Sequence, residues 1–390
     1  MGTVSGRDGK ARTDVIIAAG RRWLHRQEAR QEGLGRIARE GPGAADTPKR
    51  RREFATRQAA RARRIVGPTQ DLVMLSPSTQ ASRAASPVAR IVTLPDGDRS
   101  PQGVATGFLV SEGLLLTNHH VFPLRSDCRG YGANFNHYFD ERGLNEGSVF
   151  ELDPDLFFLS DEHLDFALVG VRSQGRNAEN LISFGRVRLI EATGKILTGL
   201  PVNIIQHPGG GPRQYGITNN RLVDILEEGF LHYETDTDKG SSGSPVFNQD
   251  WELLGLHHSG VPDMKGDVIL KTDGTPWDPE NDSEEAIHWI ANEGTRVSSL
   301  VKCLKEAKLA SAAEELLLGK LLETTSDPVM AAGPSIDPTL TAAGSEGGAV
   351  SQNIFNISGN VTIHVYGGAS MPSGLVAFEK GGGAEAASGA

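Results

Sequence analysis

The chain has 390 residues, 38% of them hydrophobic, with 47 glycines and 20 prolines. That length suits one large domain with appendages, and the abundance of turn formers favours short strands joined by loops. Residues 1–70 hold 17 Lys/Arg against 7 Asp/Glu and the remainder 22 against 42; an acidic body lacks the cations that nucleic-acid phosphates require, which excludes nucleic acid as a partner of the core.

The leader, residues 1–67, reads as helical. Residues 14–40 space Ile16, Ile17, Trp23, Leu24, Leu34 and Ile37 at helical intervals, interrupted by Gly33 and Gly35. After Gly41-Pro42-Gly43, Thr47-Pro48 opens a second, Arg- and Ala-rich helix, with Thr as N-cap and Pro at the first position. Two helices are expected, with a protein partner, nucleic acid, an acidic membrane or the acidic body itself to receive the basic face.

From residue 68 the texture becomes β-like. Short apolar runs alternate with turn signals: Ala89-Arg90-Ile91-Val92, Gly107-Phe108-Leu109-Val110, Gly113-Leu114-Leu115-Leu116, Phe166-Ala167-Leu168-Val169, Val202-Asn203-Ile204-Ile205 and Leu253-Leu254-Gly255-Leu256. Such spacing predicts a sandwich or barrel, an all-β body over residues 68–310. A closing helix is expected at 296–308, where Val297, Leu300, Val301 and Leu304 repeat helically, and a short one at 311–323. Residues 324–350 read as a flexible linker. Residues 351–390 read as a β-hairpin around Ser358-Gly359-Asn360 followed by a Gly/Ala-rich tail. A lone hairpin is marginal in water, so residues 351–367 are a second candidate surface for a protein partner.

Only Cys128 and Cys303 are present, without metal-ligand spacing. This usage fits a reducing, cytoplasmic compartment. The longest early apolar run, residues 15–19, is too short for a signal-peptide core or a membrane span. His137, His163, His207 and His232 form no ligand cluster, so neither metal nor cofactor is expected.

Three motifs carry chemistry. Gly240-Ser241-Ser242-Gly243-Ser244-Pro245 flanks a hydroxyl with glycines that let the amides of Gly240 and Ser242 point to one place. Leu116-Thr117-Asn118-His119-His120 ends a β run in two imidazoles, whose side chains alternation sends opposite ways. Leu164-Asp165-Phe166-Ala167 opens an apolar strand with a carboxylate, costly to bury unless paired, for example with an imidazole.

The order His, Asp, Ser, with gaps of 45 and 77 residues, resembles that of the trypsin-like serine peptidases. Residues 68–305 resemble their bacterial glutamyl-endopeptidase branch: Thr117-Asn118-His119-His120-Val121 is similar to its Thr-Asn-x-His-Val, and Gly240 to Phe247 to its Gly-Asn-Ser-Gly-Ser-Pro-Val-Phe. The resemblance selects His120 and Ser242, matches Asp165, and implies a chymotrypsin-like double β-barrel. Its six-stranded barrels would span about 83–185 and 186–295, with the active site between them. It implies a serine endopeptidase with peptide substrates, the Gly240 and Ser242 amides forming the oxyanion hole. Ser241 replaces the Asp used for activation by animal enzymes, so that switch is not carried over, and any regulation would fall to the leader or tail. Pocket assignment stays open: Asp236 stands where a carboxylate selects Arg or Lys, whereas Thr237 and His257 resemble the pair that selects an acidic side chain. His258 is expected to pack, and a catalytically inactive scaffold on the same fold is the alternative function.

Overall fold

The computed structural model describes residues 6–62, 77–95, 100–217, 220–327, 355–357 and 361–363. Of the linker expected at 324–350, residues 328–350 lie outside the described residues, as do residues 63–67, the Ser-Gly-Asn turn and the Gly/Ala tail; of its first residues, Thr325 is buried and Asp327 pairs with Arg57.

Residues 1–333 form one compact unit. Its first half is a seven-stranded antiparallel sheet built from β1 (Val88–Thr93), β2 (Gly103–Leu109), β3 (Leu114–Thr117), β4 (Tyr131–Phe135), β7 (Ser148–Glu151), β8 (Phe158–Asp161) and β9 (Phe166–Gly170), in the order β7-β4-β1-β2-β3-β9-β8. A small hairpin, β5 (Tyr138–Asp140) with β6 (Gly143–Asn145), leaves its edge. Strands β3 and β9 are buried on both faces, which accounts for their unbroken apolar runs. The second half repeats the size with β10 (Asn203–Gln206), β11 (Gln214–Gly216), β12 (Arg221–Ile225), β13 (Phe230–Glu234), β14 (Pro245–Phe247), β15 (Leu253–Pro262) and β18 (Trp289–Arg296), ordered β11-β10-β14-β15-β18-β13-β12. Between β15 and β18 a hairpin, β16 (Met264–Lys265) with β17 (Val268–Ile269), projects towards the leader.

The all-β label is too narrow. Six α-helices accompany the strands among the described residues: α1 (Gly6–His25), α2 (Gln27–Glu40), α3 (Pro48–Ala62), α4 (Pro77–Ala85), α5 (Val297–Glu306) and α6 (Ala312–Glu323). Each sheet also has seven strands, not six. The helices belong to the core because their apolar stripes find partners. Val297, Leu300, Val301 and Leu304 of α5 and Leu318 and Leu321 of α6 join Phe166, Phe230 and Leu256 in the main cluster. The leader holds three helices, not two. The first break falls at Arg26 and not at the glycines. Gly33 stays helical because a Cβ there would crowd the Ala45 methyl, so close packing, not flexibility, explains it.

Helix α1 lies on the second half. Ile16 packs with Met264, Ile269, Trp277 and Ile287, and Ala19 with Val261 and Ala291. The basic leader has found the acidic body: Arg21 pairs with Asp267, Arg22 with Glu293, Arg26 with Asp224, Arg57 with Glu252 and Asp327, and Arg61 with Asp250 and Glu252.

Residues 334–390 form a separate unit. In it β19 (Phe355–Ile357) pairs antiparallel with β20 (Val361–Ile363), Phe355 opposite Ile363.

Candidate active site

Strand β3 ends at Thr117, whose hydroxyl donates to Thr106 O of β2 at 2.9 Å. The chain then turns, and the two histidines separate as alternation requires. His119 Nδ1 meets Ser160 Oγ at 2.8 Å, while His120 enters the interior.

Asp165 precedes β9 in a tight turn with φ +47°, a left-handed conformation uncommon for a residue with a side chain. The turn is held by Asp161 Oδ1 accepting from Leu164 N at 2.7 Å and by Asn118 Nδ2 donating to Asp165 O at 2.9 Å. The carboxylate is fully engaged. Oδ1 accepts the His120 backbone N–H at 2.9 Å, and Oδ2 lies 2.8 Å from His120 Nδ1. An ionised carboxylate only accepts, so His120 Nδ1 carries the proton and Nε2 is left bare towards the cleft. Burial pushes the Asp165 carboxyl up, but His120 and His258 outweigh it and hold it well below the usual range. Burial pushes His120 down, against the pull of Asp165, with Arg12 and His258 adding to the depression.

Ser242 lies on the loop between β13 and β14. Gly240 and Gly243 have φ +87° and +86°. A Cβ on Gly243 would overlap Thr106 O, so glycine is required there. Thr106 staples the loop to the first sheet: its N–H donates to Ser242 O at 2.8 Å and its hydroxyl to Gly240 O at 2.7 Å. The amides of Ser241, Gly243 and Ser244 are spent on Asp238 O, His257 O and Ser241 O. Those of Gly240 and Ser242 have no partner among the described residues. Gly209 N–H holds Lys239 O at 2.5 Å, so the Gly240 N–H of the same planar peptide points the opposite way.

One leader side chain occupies the meeting point. Arg12 Nη1 of α1 donates to Ser242 Oγ at 3.2 Å and to His258 O at 2.8 Å, and stands 3.3 Å from His120 Nε2. Arg12 Nε faces Glu284 at 3.5 Å. Ser242 Oγ and His120 Nε2 therefore both lie within 3.3 Å of one guanidinium nitrogen.

A cleft of about 530 Å³ opens beside Ser242 and is lined by Arg12, Asp236, Thr237, His257 and Glu284 among others. The candidate pocket residues thus share one cavity with Ser242. Asp236 is exposed. Thr237 spends its proton on Asn292 Oδ1 at 2.6 Å, and His257 Nδ1 meets the Tyr233 hydroxyl at 2.7 Å. Burial holds His257 well below its ordinary pKa.

His258 does not simply pack. Nδ1 lies 3.1 Å from Asp165 Oδ2 and Nε2 3.0 Å from Glu293 Oε1. Its signal in the sequence is weak, a second histidine beside His257 on an apolar strand. Arg12 and Glu293 carry no local signal at all. His207 is buried, with Nδ1 2.8 Å from Gly211 O, and its backbone N–H donates to Thr106 Oγ1 at 3.0 Å beside the Ser242 loop.

Residues 105–256 match the family model of the trypsin-like peptidase domain. Among curated proteins, an uncharacterized protein of Sinorhizobium fredii, y4fB, is 34% identical over 254 residues, covering 60% of this chain and 38% of that protein. A glutamyl endopeptidase of Staphylococcus aureus is 24% identical over 184 residues, covering 43% of this chain and 50% of its own. The chain thus spans half or less of the length of these relatives. Among solved structures, the Rv3671c protease of M. tuberculosis in its active form covers 64% of this chain and 92% of its own at 16% identity and TM-score 0.37. The serine endoprotease of Yersinia pestis covers 59% and 66% at 18% identity and TM-score 0.35. Over residues 105–256 the chain is thus similar to the trypsin-like peptidase domain.

Proposed function

We propose that this chain is a serine endopeptidase, built on the two barrels of the chymotrypsin-like fold, that hydrolyses peptide bonds through an acyl-enzyme. The observation that carries the reading is the His120–Asp165 pair at 2.8 Å, with the bare Nε2 and Ser242 Oγ both within 3.3 Å of a single nitrogen. With Arg12 displaced, Ser242 attacks the scissile carbonyl and His120 Nε2 takes its proton. The amides of Gly240 and Ser242 receive the oxyanion, and Asp165 steadies the imidazolium. His120 then returns the proton to the leaving amine, and water repeats the sequence on the ester. The pairing of His120 with Asp165 and the approach of His120 and Ser242 to one nitrogen support this reading over the alternative, an inactive scaffold. Labelling by a fluorophosphonate that is lost in Ser242→Ala, with hydrolysis of a protein substrate falling about 10⁴-fold or more, is the expected result. Equal labelling of both chains ends the reading.

The same geometry supports regulation by the leader. Arg12 fills the place a scissile carbonyl must take, so the chain is self-restrained, and Arg12→Ala should label roughly 5- to 100-fold faster. An unchanged rate removes this restraint from the account.

The cleft favours a basic side chain at the cleaved residue. Asp236, Asp238 and Glu284 line it, Lys239 is tied to Glu285 at 3.0 Å, and the guanidinium of Arg12 already sits there. An acidic side chain would meet like charge and a Thr237 hydroxyl whose proton is committed. Digestion of a peptide library and sequencing of the new ends decides between them.

Two free thiols support a reducing, cytoplasmic setting. Burial pushes Cys128 up to about 12 and Cys303 to about 11, so both stay protonated and unreactive. No described helix is long and apolar enough to cross a membrane. The hairpin in 351–367 remains the surface we assign to a protein partner, by strand addition.

A further inference from the structure

Behind Asp165 lies a chain of buried charges that reaches the leader. Asp165 and Glu293 are both wholly buried and stand on either side of His258. Carboxylates accept hydrogen bonds and do not donate them, so an imidazole with one on each nitrogen must donate from both. Glu293 is in turn gripped by α1: Arg22 Nη2 donates to Oε1 at 2.5 Å and Nε to Oε2 at 2.9 Å. His232 Nε2 also meets Oε2, at 2.9 Å, while His232 Nδ1 has no partner among the described residues. The charges of the assembly balance, two carboxylates against one imidazolium and one guanidinium. Phe230 closes the assembly, its ring stacked on His258 at 5.4 Å with Arg22 3.9 Å above its centroid.

We propose that His258, doubly protonated between Asp165 and Glu293, is a positioning residue that holds the Asp165 carboxylate for His120, and that Arg22 of the leader completes this assembly. The proposal rests on the peptidase reading and deepens it. Asp165 Oδ2 would serve two imidazoles at once, His120 at 2.8 Å and His258 at 3.1 Å. The second is a fixed cation, so it restrains the carboxylate and discourages a proton on His120. Burial alone would push His258 down, but its bonds to Asp165 and Glu293 reverse the direction and raise it. Glu293, which burial alone would raise, is held well below its ordinary value by Arg22, His232 and His258. On this account the leader does opposite things with two arginines on one helix. Arg12 obstructs the reacting atoms, and Arg22 supports the group behind them. Cutting the leader away would then fail to release full activity, whereas replacing Arg12 alone would release it.

The test is spectroscopic and uses the full chain labelled with ¹⁵N-histidine. Imidazole nitrogen spectra are recorded between about pH 5.5 and 9, with His258 assigned by its loss in His258→Gln. The groups that face these rings are Asp165 from the turn before β9, Glu293 from β18, His232 from β13, His257 from the same strand, and Arg12 and Arg22 from α1. In the native chain His258 should show two protonated nitrogens at pH 7. In Glu293→Gln it should lose one within the range, because the amide no longer demands a donor. In His258→Gln the titration midpoint of His120 should rise by about one unit, since a cation near it is gone. A bare nitrogen on His258 at pH 7 in the native chain overturns the proposal, and so does an unmoved His120 midpoint in a folded His258→Gln. Should His258→Gln fail to fold, the native chain and Glu293→Gln still decide the matter. A further arm compares fluorophosphonate labelling of Arg12→Ala with that of the double variant Arg12→Ala/Arg22→Ala: equal or faster labelling of the double variant also overturns the role of Arg22. These spectra do not depend on Ser242 reacting, so an unreactive serine strikes the peptidase reading without touching the protonation of His258.

Discussion

The two halves of the body hold the groups of the candidate site by different physics. The first sheet encloses a dry cluster in which Phe135, Phe150 and Phe184 meet edge to face or tilted, at 4.7–5.6 Å between centroids. The second buries Lys195, His232, His257, His258 and Glu293 alongside its apolar residues. His120 and Asp165 are delivered by strands that apolar packing makes rigid, with Asn118 and Asp161 bonding the turn. The ground behind them is held by ions, and some of those ions belong to the leader. Packing tolerates a change of pH; an ionic assembly does not.

Breaking the first half should therefore cost stability without much regard for pH. Phe150→Ala removes a fully buried ring from the aromatic cluster and should destabilise by about 3–5 kcal/mol, read by denaturant unfolding at two pH values.

The buried ionisable groups of the second half, and the His120–Asp165 pair that they back, should show in acid. His120, His207 and His257 are all depressed by burial, His207 to about 3. A histidine whose folded pKa is lowered takes its proton in the unfolded chain first. Stability is therefore lost as pH falls below about 6.5 and continues to fall until the folded pKa is reached. Asp165 and Glu293 are also depressed, and their contribution is present above about pH 4 and lost as pH falls through their folded values. His258, raised, works in the other direction, stabilising fully below about 6.5 and losing that contribution as pH rises through its folded pKa. The sum predicts a steep acid limb and a shallow alkaline one in unfolding free energy against pH. A flat profile between pH 4 and 7 would contradict it.

The smallest effect belongs to the leader's outer edge. Arg21 and Asp267 form an ion pair with side chains 62% and 79% exposed. Water screens such a pair, so Arg21→Ala should shift stability by less than about 1 kcal/mol and leave labelling unchanged. A large loss would mean that the docking of α1 depends on its rim and not on Ile16 and Ala19.

What the sequence discloses follows from locality. His120 and Ser242 are legible because each sits inside a run whose neighbours also have jobs: Thr117 and Asn118 hold the turn, and Gly240 and Gly243 bend the loop. Asp165 is legible as an unpaired acid on an apolar strand. The short strands are legible for the same reason, since alternation and turn residues are local signals. Arg12, Arg22 and Glu293 are not. Arginine is abundant in the leader, and only tertiary docking distinguishes these two from the rest. Glu293 sits in the middle of a strand whose neighbours give no sign that three side chains converge on it. The helix count was obscured because Gly33 and Gly35 read as interruptions, while the actual boundary at Arg26 carries no breaker residue.

Thr106 constrains how this molecule can move. Its backbone N–H and hydroxyl reach the nucleophile loop of one half, its carbonyl receives Thr117 from the strand that leads to His120, and its oxygen also accepts from His207 N at 3.0 Å. A hinge that parted the two halves would tear this one residue's bonds and disassemble the loop it was meant to expose. On the proposed reading, entry to the cleft would come from a cover sliding off an intact floor, and α1, which carries Arg12, is such a cover among the described residues.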